Sequence, residues 1–295
     1  MGGECTAAPS PGRRGPFRGR IGGIPQGAHG SLPLSWSLAA APHRRIGHVI
    51  EAHDAIGSTN DRARDALREP EGEGRAILAE LQTAGRGRRG RSWDSPSGLN
   101  LTFSVGLRPA LAARDAWRMA AAAGLAVRDA ARPFGHVSLK WPNDVVDDAG
   151  RKVAGILIET VIDGARVAEA VIGMGVNVNW RRAEMPAELR PRASSLAELA
   201  GHSIDRVDVL RRLLEALDAW VARAERDDAI VDEYRAASWL TGRTVEVEAG
   251  DRLVRGVARD VMADGSLPVE TGGAREIVAY GDVARVIEPQ PVTAR

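Results

Sequence analysis

The strongest constraint on the fold lies between residues 137 and 178. Three strand-like stretches, 137–141, 153–162 and 167–178, are separated only by turn sequences at Asp147-Asp148-Ala149-Gly150 and Asp163-Gly164. Parallel neighbours need a crossover of a dozen or more residues, whereas antiparallel ones close through a tight turn. These strands are therefore expected to run antiparallel. Upstream, residues 48–53 read as a strand, Ser58-Thr59-Asn60-Asp61 supply N-cap side chains to a helix reaching Arg68, and residues 75–81 and 99–107 read as two further strands. Two long stretches carry apolar residues at helical spacing: 112–131 through Trp117, Met119, Ala120, Ala123, Leu125 and Val127, and 206–226 through Val209, Leu210, Leu213, Leu214, Leu217 and Trp220. After Ser238 the pattern changes to short strands with glycine turns, which suggests a small β-barrel. The expected class is α+β: a mixed, mostly antiparallel sheet packed with helices, followed by a small C-terminal β-barrel.

Residues 82–93 connect two of the expected core strands and read Gln-Thr-Ala-Gly-Arg-Gly-Arg-Arg-Gly-Arg-Ser-Trp. Gly85, Gly87 and Gly90 allow backbone N–H groups to approach an anion closely, while Arg86, Arg88, Arg89 and Arg91 offer bidentate guanidinium forks. In isolation such a run is a solvated surface loop. Slung between two core strands, it is a ligand clamp for phosphate or carboxylate.

The whole chain of 295 residues carries a formal net charge of only +1. Arginine is concentrated locally and builds no global basic field, which argues against nucleic acid as a partner and for a small anion. Cys5 is the single cysteine, so neither an intrachain disulfide nor a thiolate metal cluster is available, and a reducing cytoplasm is expected. No run reaches the roughly 18 apolar residues of a membrane span, and no membrane partner is expected. Arg13-Arg14 ahead of the short apolar stretch 31–41 is a weak version of a twin-arginine export signal. Residues 1–45 are rich in Arg, Gly and Pro without strand or helix period and are expected to be disordered; a start codon assigned too far upstream would produce such a prefix.

Four motifs then occur in order: Gly57-Ser58-Thr59-Asn60; the 82–93 loop; Lys140-Trp141-Pro142-Asn143-Asp144 with the run from Lys152 through Gly155 to Glu159; and Gly173-Met174-Gly175-Val176-Asn177-Val178-Asn179. Together they closely resemble the catalytic domain of the biotin protein ligases, and the module after residue 238 resembles that family's C-terminal domain. The resemblance covers about residues 48–288. It implies a class II synthetase-like catalytic domain over 46–238 and a small β-barrel domain over 239–288, with tails at 1–45 and 289–295. It also implies the monofunctional type, without an N-terminal DNA-binding domain.

The reaction so implied has two steps. Biotin and ATP give biotinyl-5′-AMP and pyrophosphate, and biotin then passes to a specific lysine of a biotin carboxyl carrier protein. On this resemblance Ser58, Thr59, Asn60 and Gln82 meet the ureido ring. Arg86, Gly87 and Arg88 draw the biotin carboxylate and α-phosphate together, Arg91 reaches the outer phosphates, and Trp93 packs over the closed loop or stacks near the ligand. Lys152 neutralises charge on carboxylate and phosphate as the new bond forms, with Arg151 as the alternative register, and Gly155 permits close backbone approach. Lys140 contacts phosphate, Asp144 orients or deprotonates the incoming lysine, and Asn143 and Asn177 suit adenine edges or magnesium-bound phosphate. Lys152, Arg88 and Asp144 are the expected catalytic residues. Mg²⁺ accompanies ATP, with no protein ligand assigned, and the enzyme is expected to be a monomer or homodimer.

Three other readings compete. A lipoate or octanoate ligase shares the fold but handles an acyl chain without a ureido ring. A biotin-sensing regulator needs a helix-turn-helix, for which residues 1–44 supply neither length nor apolar pattern. A pure interaction module would leave the arginine loop without a task.

Overall fold

The computed structural model describes residues 34–226 and 229–287, and the expected tails at 1–33 and 289–295 lie outside the described residues. The chain opens with β1 (Ile50–Ile56), α1 (Thr59–Ala66) and β2 (Ala76–Gln82), followed by β3 (Leu101–Leu107), α2 (Arg118–Ala131), β4 (Ser138–Lys140) and β5 (Asp144–Val146). The long strands β6 (Lys152–Asp163) and β7 (Arg166–Val176) come next, then α3 (Leu196–Ala200), α4 (Arg206–Arg226) and α5 (Ile230–Ala236). Five short strands complete it: β8 (Thr244–Ala249), β9 (Arg252–Ala258), β10 (Leu267–Thr271), β11 (Ala274–Val278) and β12 (Asp282–Ile287).

Seven strands form one sheet in the order β1-β2-β3-β7-β6-β5-β4. Its pairs are antiparallel except β1 with β2, which run parallel because α1 supplies the crossover that a parallel pair requires. The sheet is mixed and mostly antiparallel, as the short connections between residues 137 and 178 demand. A further short strand, β5, stands unpredicted between the stretch read as a strand at 137–141 and the turn at 147–150, because three residues are too few to show a period of two.

Both faces of the sheet are covered. Side chains alternate across a strand, so Ala76 and Leu78 of β2 join the main core with α2 and α4, while Ile77 points the other way against Ala63 and Ala66 of α1. Val171 of β7 likewise faces α1, between Ala170 and Ile172 of the main core. The alanine-rich composition of α2 allows it to lie close to α4, and its buried Met119, Leu125 and Val127 fill the space above the sheet.

Two boundaries differ from expectation. The helix anticipated over 112–131 begins at Arg118, and Trp117 at its N-cap is only partly buried: its indole N–H donates to Ala263 O at 3.2 Å, in the C-terminal part of the chain. Residues 34–45, assigned to the disordered tail, are folded. A 3-10 helix spans Leu34–Ala39, Trp36 is 4% exposed, and Ile46 is fully buried with its N–H donating to Asp218 at 2.9 Å. The Arg206 guanidinium stacks over the Trp36 ring at 5.1 Å. One buried tryptophan and two alanines carry too little pattern to mark a segment as ordered, yet they suffice to strap it across α4.

The module after residue 238 is a five-stranded antiparallel sheet in the order β11-β10-β9-β8-β12. It is pinned to the main sheet where the chain enters it, since Leu139 N–H donates to Ala237 O and Trp239 N–H to Leu139 O, both at 2.8 Å. A second pin is the buried Trp141 indole, which donates to Gly265 O at 2.9 Å.

Truncating a buried tryptophan removes both its transfer energy and its packing. Trp36→Ala is expected to cost about 3–5 kcal/mol in a urea titration; a change below about 1 kcal/mol would show the 34–46 strap to be dispensable.

Candidate active site

A cleft of about 780 Å³ opens where the N-terminus of α1, the 82–93 loop, the β4–β5 turn, the start of β6, the end of β7 and the start of β12 converge. Lys152 and every other residue given a ligand contact or catalytic role from the sequence line it. Arg151 does not: its guanidinium is tied at 2.7 Å to the buried Asp147, which also accepts the N–H groups of Ala149 and Arg151 to close the turn before β6. Of these two neighbouring basic residues, Lys152 is therefore the one that faces the cleft.

At one end lies a buried polar network. Ser58, Thr59 and Asn60 are each 5% exposed or less. Ser58 occupies the N-cap position of α1 but makes no capping hydrogen bond, so its hydroxyl is not consumed in starting the helix. Thr59 N–H donates to Gln82 Oε1 at 2.7 Å, and the Thr59 hydroxyl lies 2.7 Å from Ser104 Oγ. Ser104 donates in turn to Asn60 Oδ1 at 2.6 Å, and Asn60 Nδ2 donates to Glu159 at 2.8 Å. Gly173 makes room for this arrangement, because a Cβ there would collide with Asn60 Oδ1.

The arginine loop is held by carboxylates. Arg86 forms a bidentate pair with Asp61 at 2.7 Å and reaches Glu159 at 3.4 Å, which holds the Asp61 carboxyl below the usual range. Three guanidiniums gather on Asp282 at the start of β12: Arg88 at 2.8 Å, Arg91 at 3.0 Å and Arg89 at 3.5 Å. Arg89 also pairs with Glu248 of β8 at 3.2 Å. Burial lowers the Arg88 pKa; Asp282 opposes that shift, while Arg89 and Arg91 add to it.

On the floor, Lys152 Nζ pairs with Asp144 Oδ1 at 2.7 Å. The Trp93 indole lies across Gly155 and Gly175, with Lys152 Nζ 5.2 Å from its ring centroid, and a Cβ at Gly175 would collide with the ring. The buried Trp93 indole nitrogen has no hydrogen-bond partner. Burial pushes the Lys140 ammonium below the usual lysine range; Asp144 opposes the shift and Lys152 reinforces it. Asn143 donates to Ile156 O at 2.7 Å and accepts from Arg88 at 3.3 Å, tying the loop to β6. Asn177 donates to Ser194 O at 3.0 Å and Lys152 O at 3.3 Å, so its amide nitrogen holds the backbone of Lys152 and its oxygen is the group left for a ligand.

Sequence reasoning missed several participants. Ser104 read only as the polar half of an alternating strand, although its neighbours on β3 are buried on both faces, which makes an inward hydroxyl conspicuous. Asp282 and Glu248 reach the loop from more than 150 positions away, and nothing local marks them. Trp180 and Arg192 line the cleft from an irregular segment that carries no periodicity.

A buried network of neutral donors and acceptors joined to a cluster of cations suits a ligand with a polar head and an activated carboxylate, which is the task of an acyl-adenylate ligase. Residues 53–177 match the Biotin/lipoate A/B protein ligase family. A Biotin–[acetyl-CoA-carboxylase] ligase of Mycobacterium tuberculosis is 37% identical over 239 residues, covering 78% of this chain and 86% of that protein. The chain spans about half of the bifunctional ligase/repressor BirA of Bacillus subtilis, at 34% identity over 57% of this chain and 52% of that one. Among solved structures, the biotin protein ligase from Aquifex aeolicus in complex with biotin and ATP superposes with a TM-score of 0.68 at 27% identity, covering 79% of this chain and 96% of that one. The chain belongs to the biotin/lipoate A/B protein ligase family, and these relatives place it with the biotin ligases.

Gly173→Ala forces Asn60 out of its position. Biotin affinity measured by calorimetry is expected to fall at least about tenfold, with a stability cost of about 1–3 kcal/mol for the added methyl. Unchanged affinity would detach Asn60 from the binding site.

Proposed function

We propose that this protein activates biotin with ATP to biotinyl-5′-AMP, releasing pyrophosphate, and transfers biotin to a lysine of the carrier domain of a biotin-dependent carboxylase. The observation that carries the reading is the placement of Lys152 Nζ, 2.7 Å from Asp144, in one cleft with both the buried Thr59–Gln82 network and the arginine loop. The network suits the two N–H donors and one carbonyl of a ureido ring. A lipoyl or octanoyl chain has neither an N–H donor nor a urea carbonyl to meet this polar pocket, which disfavours the lipoate alternative.

In the first step a biotin carboxylate oxygen attacks the α-phosphorus and pyrophosphate leaves. Two anions must meet, and Arg88 and Lys152 are placed to neutralise the charge that opposes them. Arg86 and the N–H of Gly87 hold the loop end of the ligand, while Arg91, Lys140 and Asn177 lie where ATP must extend. Trp93, already stacked across Gly155 and Gly175, offers a ring face to the nucleotide or to the aliphatic part of biotin and shields the mixed anhydride from water. In the second step the carrier amine attacks the acyl carbon and AMP leaves; Asp144, paired with Lys152 at 2.7 Å, accepts a proton or orients the amine. Among the described residues no group of three His, Cys, Asp or Glu is arranged to hold a metal, so magnesium would be carried by the phosphate oxygens and water.

No helix among the described residues is long and apolar enough to cross a membrane. A cytoplasmic enzyme acting on a carboxylase carrier, as a monomer or homodimer without nucleic acid, is the setting this reading requires.

Transfer of biotin label to a carrier domain tests it. Lys152→Ala and Arg88→Ala are each expected to lose about 100-fold or more in rate, and transfer of lipoate but not biotin by the wild-type protein would overturn the reading. The pH profile adds an independent check. Because burial lowers the Lys140 pKa, its charge is lost at lower pH than that of an ordinary lysine, so kcat/KM for ATP should fall on the alkaline side before ordinary lysines titrate. Lys140→Arg should move that limb upward, and an unmoved limb would remove Lys140 from the phosphate site.

A further inference from the structure

The hydrogen-bond relay beneath the ureido end has two self-consistent directions. In one, Asn60 Nδ2 donates to Glu159, Asn60 Oδ1 accepts from Ser104, and Ser104 Oγ accepts from the Thr59 hydroxyl, leaving Gln82 Oε1 to the Thr59 backbone N–H. In the other, the Asn60 amide is turned over. Its Nδ2 then donates to Ser104, Ser104 donates to Thr59, and the Thr59 hydroxyl donates to Gln82 Oε1, a contact already in place at 3.0 Å. Each hydroxyl has one proton, so the two directions exclude each other.

What selects between them is the group at position 159. An ionised carboxylate only accepts, and at 2.8 Å it must face the Asn60 nitrogen; a carbonyl oxygen there would meet it lone pair to lone pair. Arg64 at 2.8 Å and Arg86 at 3.4 Å flank the same carboxylate. The selection matters because Asn60 Oδ1 lies against the bare backbone of Gly173, inside the cleft, with a second lone pair beyond the one Ser104 uses. In the turned-over state an N–H₂ donor stands there instead.

We propose that Glu159 is a positioning residue that fixes the donor and acceptor polarity of the biotin pocket, presenting an acceptor at Asn60 to a ring N–H of the ureido group. The inference rests on the biotin reading and deepens it: Glu159 touches no reacting atom, yet it sets which heterocycle the pocket accepts. Through Arg86 it also joins the pocket to the anion loop, so that one carboxylate serves both ends of the ligand.

The test compares biotin with its two cyclic carbamate analogues, in which one or the other ring N–H is replaced by oxygen, by calorimetry on the full chain. Wild type is expected to prefer biotin over at least one carbamate by about 100-fold or more, since a site built for an N–H leaves its acceptor unpaired against oxygen. Glu159→Ala removes the acceptor that holds the Asn60 nitrogen and frees the amide to turn, and that preference is expected to shrink below about tenfold while biotin binding weakens. Ser104→Ala cuts the relay but keeps the Asn60–Glu159 bond, so it is expected to weaken binding and retain the preference. A full preference in Glu159→Ala overturns the inference, as does an equal collapse in Ser104→Ala, which would trace the effect to general damage. Failure of wild type to bind biotin at all would instead overturn the functional reading, and this inference with it.

Discussion

Positive charge gathered into one cleft must be compensated by the fold itself. Two like charges about 4 Å apart repel by about 4 kcal/mol at the effective dielectric near a protein surface, and this chain places Arg86, Arg88, Arg91, Lys140 and Lys152 around one cavity, with Arg89 beside them on the loop. The structure answers with resident carboxylates: Asp61 under Arg86, Asp282 under three loop arginines, Glu248 beside Arg89 and Asp144 against Lys152. These pairs are partly exposed, so each contributes little to stability. Their consequence is positional, since they hold guanidiniums where an anion is to be bound and make the loop's geometry depend on charges supplied from three other elements.

That dependence gives the C-terminal sheet a place in the site. Asp282 and Glu248 stand on β12 and β8, and their effect on the loop requires those strands to sit at a fixed distance from β6. The Trp141 and Trp117 indoles provide this by donating to Gly265 O and Ala263 O, and the backbone bonds at Leu139 fix the entry to the sheet. Tryptophan suits such a joint because it buries a large apolar face and still needs one directed acceptor. The five strands are thus the outer wall of the cleft.

The parts of the fold that follow from local physics were legible in the sequence. Turn chemistry at Asp163-Gly164 and the apolar spacing of 206–226 specify β6, β7 and α4 closely. The residues that line the cleft were legible because glycine and arginine in one short loop, and polar residues in a buried helix start, are costly unless they serve something. What could not be read depends on long-range placement. Asp282 is an ordinary strand-start aspartate until β12 is laid beside the loop; α5 is only about two turns long, and its burial of Ile230 and Tyr234 is decided by α2. The strap at residues 34–46 was misread for the same reason, as its order comes from α4 and not from its own composition.

The three glycines at 155, 173 and 175 connect the fold to the chemistry. Both faces of the sheet are packed, so β6 and β7 cannot shift to admit a ligand, and any space on their cleft side must be built in as missing side chains. Gly175 and Gly155 lie opposite each other in the β6–β7 register and receive the Trp93 ring, while Gly173 receives Asn60. A valine at these positions would satisfy strand propensity better and fill the cleft. The sequence thus gives up local strand preference along one bare strip of β6 and β7, and the alternate residues of the same strands restore it on the opposite face, where Ile156, Ile172 and Val176 are packed into the core.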